Sequence, residues 1–273
     1  MMSTTLKIKS YYNSLTKTEK KAADYIVANL TAIIYCSVTE LAEKAEVGET
    51  TVLRLCRKIG FTGFQDFKLA LAQESVMMAA EEETEQSIIS KTTARHLKIL
   101  EESRKLLEEE QVEKAVQTIL SSKNNFFFGV GSSGLTAQQA VNIFTRIGIK
   151  CDAKQDSHFQ AMSASLLEED DCAIGISVSG STKDTIRNLE IAKKAGAIII
   201  SITSNRKSPI TKLADIVLLT SSKEGPFEGS SIVSQIAQLS IIDILYSAIM
   251  NKKEDMAQTV RKVTAKAVTD KMY

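Results

Sequence analysis

The sequence predicts an α/β protein: an all-α N-terminal helix-turn-helix domain followed by a five-stranded parallel α/β sandwich. Apolar residues recur at helical spacing from about residue 15 to 74, and from about residue 125 short β-rich apolar runs alternate with amphipathic stretches. The third observation is the length, because 273 residues at roughly 100 to 200 per domain leave room for two cores. The expected division is 1–75 for the helical domain, 76–110 for a helical linker and 111–273 for the α/β domain.

In the first part, Thr16 with Glu19 and Ser37 with Glu40 each form a Ser/Thr-x-x-Glu pattern. The hydroxyl and the carboxylate of such a box satisfy the first free N–H groups of a helix, so two helix starts are marked. The second helix is expected from about Val38 to Ala45, a tight turn at Glu46 to Gly48, and a third helix from about Glu49 to Ile59. Leu41, Ala42, Ala45, Val47, Val52, Leu55 and Ile59 fall where these helices pack on each other. Thr50, Thr51, Arg54, Arg57 and Lys58 are expected on the outward face of the third helix, offering hydroxyls and cations to base edges and phosphates in a major groove. A plain helical bundle with a solvated basic face has the same spacing, so spacing alone leaves both readings open. The formal net charge is +1, so a DNA contact has to come from such a local patch.

The stretch that follows is helical but polar, with acidic runs at Glu81, Glu82, Glu83 and Glu85 and at Glu108 to Glu110, and reads as a solvated linker. The strand runs are FFFGV at 126–130, IKCDA at 149–153, CAIGISV at 172–178, AIIISIT at 197–203 and DIVLLT at 215–220. Continuous apolar runs are what strands become when helices cover both faces of a parallel sheet. Helical stretches are expected at 134–147, 158–167, 183–195, 209–214 and 231–250.

The first strand leads into Gly129-Val130-Gly131-Ser132-Ser133-Gly134, and glycines before a helix N-terminus let an anion approach free N–H groups and the positive end of the helix dipole. The third strand leads into Ser177-Val178-Ser179-Gly180-Ser181-Thr182, and the fourth into Ser201, Thr203, Ser204 and Asn205. In a parallel sheet these loops leave the carboxyl ends of the strands and converge on one crevice. Such a crevice suits a phosphate monoester. A dinucleotide needs an acid about 20 residues beyond the first loop, and Asp152 stands there, so the residues alone leave both anions open.

Two resemblances narrow this. The run LAEKAEVGETTVLRLCRKIGFTGFQDFK resembles the helix-turn-helix of RpiR-type regulators, including Gly60-Phe61 and then Gly63, Phe64, Phe67 and Lys68. It departs from that pattern at Glu46, where a turn glycine is usual, and at Gly48, where a capping serine is usual. GVGSSG followed by SVSGST resembles the two hallmark loops of SIS (sugar isomerase) domains over about residues 110 to 250. The resemblance implies a SIS-like domain behind a DNA reader, a double-stranded DNA operator, and a phosphorylated sugar or amino sugar as effector. It also implies that Ser132, Ser133, Ser177, Ser179 and Thr182 contact the phosphate. His158, in Asp-Ser-His-Phe-Gln, is a candidate for touching the sugar. Glu228 and Gln235 stand where related sequences often carry arginines.

The expectation is therefore a regulator that pairs into a homodimer or homotetramer, with no catalytic residue, no metal and no cofactor. One alternative is a sugar-phosphate isomerase or lyase with Glu224, Glu228 or His158 as its acid or base. The other is a regulator that binds a nicotinamide dinucleotide through GVGSSG and Asp152. Cys36, Cys56, Cys151 and Cys172 show no CxxC pairing and read as reduced, structural thiols. The N-terminal stretch lacks a signal-peptide pattern, and the apolar stretch at 232–250 is interrupted by Ser234, Gln235, Gln238 and Asp243. No membrane association and a cytoplasmic location are expected.

Overall fold

The computed structural model describes residues 4–79, 87–222, 232–267 and 269. They fall into two compact units, Met1–Thr92 and Thr93–Ser222 with Ile232–Tyr273.

The first unit comprises α1 (Thr4–Tyr11), a 3-10 turn at Tyr12–Ser14, α2 (Lys17–Ala28), α3 (Leu30–Ile33), α4 (Val38–Lys44), α5 (Glu49–Lys58) and α6 (Phe64–Ala79). Both capping boxes form: Glu19 N–H donates to the Thr16 hydroxyl at 3.3 Å and Thr16 N–H to the Glu19 carboxylate at 2.8 Å. The Ser37 and Glu40 pair closes the same way, at 3.0 and 2.8 Å. Ile26, Leu41, Ala42, Val52, Leu55, Ile59 and Phe67 share one buried core, with Val47 half-buried against it. Lys68 is buried too. Its ammonium donates to the Cys36 carbonyl at 2.9 Å and stands 5.6 Å from the centre of the Phe64 ring, while burial pushes its pKa down.

The division between the units falls within α7 (Ile88–Leu106). The second unit continues with α8 (Glu109–Ser121), β1 (Asn125–Phe128), α9 (Ser132–Thr145), β2 (Cys151–Ala153), α10 (Ser157–Ser165) and β3 (Cys172–Ile176). Then come α11 (Lys183–Lys194), β4 (Ile198–Thr203), α12 (Pro209–Leu213), β5 (Ile216–Leu219), α13 (Ile232–Lys252) and α14 (Glu254–Lys266). Each apolar run read as a strand is one, and the five pair in parallel in the order β2-β1-β3-β4-β5.

Two cores sandwich this sheet. Ile174, Ile200 and Leu218 pack with α8, α9 and α13 on one face, and Phe128, Ala173 and Ile199 pack with α10, α11 and α12 on the other. The part of α7 in this unit is not uniformly solvated, because Ile99 is buried against Val233 and Ala237 of α13. The acidic run from Glu81 to Glu85 lies outside the described residues.

α13 carries the apolar stretch that Ser234, Gln235, Gln238 and Asp243 interrupt. Its 21 residues are long and apolar enough, by length and composition alone, to cross a bilayer. Its Ile241, Ile242, Leu245 and Ile249 face the core shared with α8 and α9. Cys36, Cys56 and Cys172 are buried free thiols and Cys151 is half-buried; burial pushes the Cys56 thiol up to about 12.

Candidate functional site

β1 and β3 are neighbours in the sheet, with Phe128 beside Gly175, yet the chain leaves β1 through α9 on one face and β3 through α11 on the other. Their carboxyl ends therefore form a topological switch point, where the loops splay apart and open a crevice. Strands so paired lie about 4.8 Å apart, so the Gly129 to Ser133 loop and the Ser177 to Thr182 loop start side by side. Gly131 has φ +57, and a Cβ on Gly129 would stand 2.9 Å from the Ser133 carbonyl, so both positions require glycine. Neither α9 nor α11 has a side-chain cap at its N-terminus. Two helix N-termini thus offer first-turn N–H groups at the crevice.

The hydroxyls divide into two sets. Ser133 is 7% exposed and accepts from Gln238 Nε2 at 3.0 Å; Ser177 is 2% exposed, lies 2.9 Å from the Thr182 hydroxyl and accepts from Gly180 N–H at 3.1 Å. Ser132, Ser179 and Thr182 are half-buried, and Ser179 Oγ accepts from Ser181 N–H at 3.2 Å. The structure brings these five residues to the two neighbouring loops. The third hydroxyl-rich loop behaves differently from the expectation. Ser201 is buried in the sheet with its hydroxyl unpartnered, and Thr203, Ser204 and Asn205 turn onto the backbone of the second loop instead of toward the crevice.

His158 sits in the first turn of α10, where Asp156 caps the helix by accepting from His158 N–H at 2.9 Å. It is exposed and borders a cavity of about 500 Å³ along the α10–α11 seam, with Asp184, Arg187 and Asn188. Arg187 is not legible as a site residue in the sequence, because one arginine in an amphipathic helix carries no local signal. Asp152, the acid that a dinucleotide would need, pairs with Lys154 at 2.7 Å. Gln235 Nε2 donates to the Ser132 carbonyl at 3.4 Å. Glu224 and Glu228 lie outside the described residues.

In the helical unit, Glu46 takes φ +52 in the turn between α4 and α5, and Val47 N–H donates to the Ala42 carbonyl at 2.8 Å. Thr39 Oγ1 donates to the Glu49 carboxylate at 2.9 Å and ties α4 to the start of α5. Thr50, Arg54 and Arg57 are exposed and follow one another at i, i+4 and i+7, so they share one face. Two of the five expected reading residues are placed otherwise. Thr51 is 7% exposed and turned inward. Lys58 is half-buried and donates to the Ser14 carbonyl at 2.6 Å and the Glu19 carboxylate at 3.1 Å. The Thr16 N–H bond and this ammonium hold the Glu19 carboxyl below the usual range, against its burial.

A family model described as a helix-turn-helix domain of the rpiR family matches residues 2–77, and a SIS domain model matches residues 118–248. An uncharacterized HTH-type transcriptional regulator of Haemophilus influenzae is 39% identical over 97% of this chain and 96% of its own. The HTH-type transcriptional regulator RpiR of Escherichia coli is 28% identical over 86% and 82%. Among solved structures, the Vibrio vulnificus NanR protein complexed with ManNAc-6P superposes with a TM-score of 0.91 at 27% identity, covering 98% of each chain.

Proposed function

Since this chain belongs to the rpiR family of helix-turn-helix transcriptional regulators, with a SIS domain behind the reader, we propose that a phosphorylated sugar or amino sugar controls its affinity for operator DNA. The observation that carries this reading is the pair of serine-bearing loops at the β1/β3 switch point, each opening on an uncapped helix N-terminus. A phosphate dianion brings three oxygens, and hydroxyls with helix N–H groups can satisfy them all. The similarity to NanR, whose structure holds ManNAc-6P, supports this ligand class.

In this reading Ser132, Ser179 and Thr182 meet the phosphate directly. Ser133 and Ser177, the buried pair, donate hydrogen bonds to it, and His158 stands on the sugar side. Thr50, Arg54 and Arg57 read the DNA, while Thr51 and Lys58 support α5 from behind. Pairing of SIS domains into a homodimer or homotetramer, in the cytoplasm, would place two reading helices about one helical turn, ~34 Å, apart on the operator. The effector acts only through its different affinities for DNA-competent and incompetent states, so a coupling of ~1 to 3 kcal/mol shifts operator affinity ~5 to 150-fold. The helix-turn-helix favours this role over that of an isomerase, which has no use for a DNA reader.

Anisotropy titration of a DNA fragment selected by the full chain, with and without ManNAc-6P and other sugar phosphates, tests the proposal. A shift in the midpoint with at least one ester is expected. Superimposed curves across the panel would contradict it.

A further inference from the structure

The segment from Thr203 to Ile210 grips the second serine loop by its carbonyls. The Val178 carbonyl accepts from Ser204 N–H at 3.1 Å, Ser204 Oγ at 2.6 Å and Thr203 Oγ1 at 3.2 Å. The Ser179 carbonyl accepts from Asn205 Nδ2 at 3.0 Å, and the Gly180 carbonyl from Ile210 N–H at 3.0 Å. The fit is close: Gly180 has φ +62, and a Cβ there would stand 2.2 Å from Ser208 Oγ.

A trans peptide is planar, with its N–H and C=O directed to opposite sides. Holding the Val178 carbonyl therefore turns the Ser179 N–H away from Ser204. Holding the Ser179 carbonyl turns the Gly180 N–H away from Asn205, and that N–H lies 3.1 Å from Ser177 Oγ. That bond holds the Ser177 oxygen, whose hydroxyl also stands 2.9 Å from that of Thr182. Ser204 and Asn205 thus set the direction of the Ser179 N–H and, through the Gly180 N–H, hold the Ser177 oxygen in place, without reaching the crevice themselves.

We propose that Ser204 and Asn205 are positioning residues for the effector's phosphate, an inference that rests on the binding role proposed above for the second serine loop. Asn205→Asp removes the donor and places a carboxylate against the Ser179 carbonyl. Ser204→Ala removes the 2.6 Å hydroxyl bond. Each is expected to weaken binding by about 10- to 100-fold, because the lost or misdirected bonds are made to a charged group. Ser204→Thr keeps the hydroxyl and is expected to retain affinity.

The test is calorimetric titration of the full chain with inorganic phosphate and with ManNAc-6P, after thermal unfolding has established that each variant is folded. Serine-selective 15N labelling supplies a second readout, in which phosphate displaces the Ser179 amide resonance in the wild type and not in Ser204→Ala. Wild-type binding, with the expected losses in the variants and retention in Ser204→Thr, supports the inference. Wild-type binding with folded Asn205→Asp and Ser204→Ala keeping the same Kd overturns the positioning role and leaves the binding reading intact. Absence of binding by the wild type overturns both. If a variant does not fold, the wild-type resonance decides, and an unmoved Ser179 amide under saturating phosphate overturns the inference.

Discussion

Gln238 Nε2 donates to Ser133 Oγ at 3.0 Å, and both side chains are buried. The amide oxygen of Gln238 lies 3.0 Å from Thr136 Oγ1, so a single glutamine in the second turn of α13 reaches two hydroxyls of α9. The Ser133 hydroxyl keeps its O–H as a donor while accepting this bond. Gln238→Leu is expected to lower stability by about 1 to 3 kcal/mol, since it removes the amide from the buried Ser133 hydroxyl and leaves Thr136 only the Ser132 carbonyl, and to weaken sugar-phosphate binding. Denaturant unfolding together with calorimetry checks both; unchanged affinity would detach Gln238 from the site.

On the reading helix, Arg54 and Arg57 are predicted to contact DNA, whereas Lys58 is spent on Glu19 and Ser14. Arg54→Ala or Arg57→Ala should weaken DNA binding about 10-fold or more, and loss of a phosphate contact should reduce the salt slope by about 1. Lys58→Ala should leave the slope unchanged and lower Tm instead. Anisotropy at several salt concentrations separates the two outcomes, and a slope lost with Lys58 alone would refute the assignment.

Glu46 occupies a left-handed turn position at φ +52, and its carboxylate pairs with Lys21 at the surface. An exposed ion pair adds little, while a side chain at positive φ is strained. Glu46→Gly is therefore expected to raise Tm by about 2 to 4 °C, allowing for glycine's greater freedom in the unfolded chain. A fall in Tm on calorimetric scanning would show that the Lys21 contact dominates.

The Glu19 carboxyl is held below its ordinary value of 4.5, chiefly by the Thr16 N–H and then by Lys58. A carboxylate lowered in the folded state stabilises above the unfolded value, and that contribution disappears as pH falls through the folded one. Glu19→Gln should therefore be less stable than wild type at neutral pH, with the difference shrinking below about pH 4.5. Urea unfolding at pH 7 and in mild acid reads this; a gap independent of pH would locate the effect in packing.

Much of the fold was legible because buried parallel strands are continuous apolar runs and because Ser/Thr-x-x-Glu marks helix starts. All five runs are strands, and both boxes close as read. By residue type Thr51 and Lys58 suit an outward face, but their angle on the helix turns them inward. Both stand beside Leu55 on α5, at i−4 and i+3, so they share its inward side. In the sequence Gln238 reads as an interruption of an apolar stretch, although a buried amide is satisfied when its partners come from a distant helix, here Thr136 and Ser133. Long-range bonds of this kind, like those from Ser204 and Asn205 to the second loop, leave no local pattern. Composition showed a third polar loop, and only the fold shows that it faces the second loop's backbone.

The central claim is that the two serine loops hold a phosphate ester. The most direct measurement is calorimetric titration of the full chain with hexose and amino-sugar 6-phosphates, ManNAc-6P among them, beside the same sugars without phosphate. Saturable binding of at least one ester, absence of binding by its parent sugar, and a loss of about 10-fold or more in Ser179→Ala are expected. Equal affinity for ester and parent sugar, or an ester bound unchanged by Ser179→Ala, would contradict the claim.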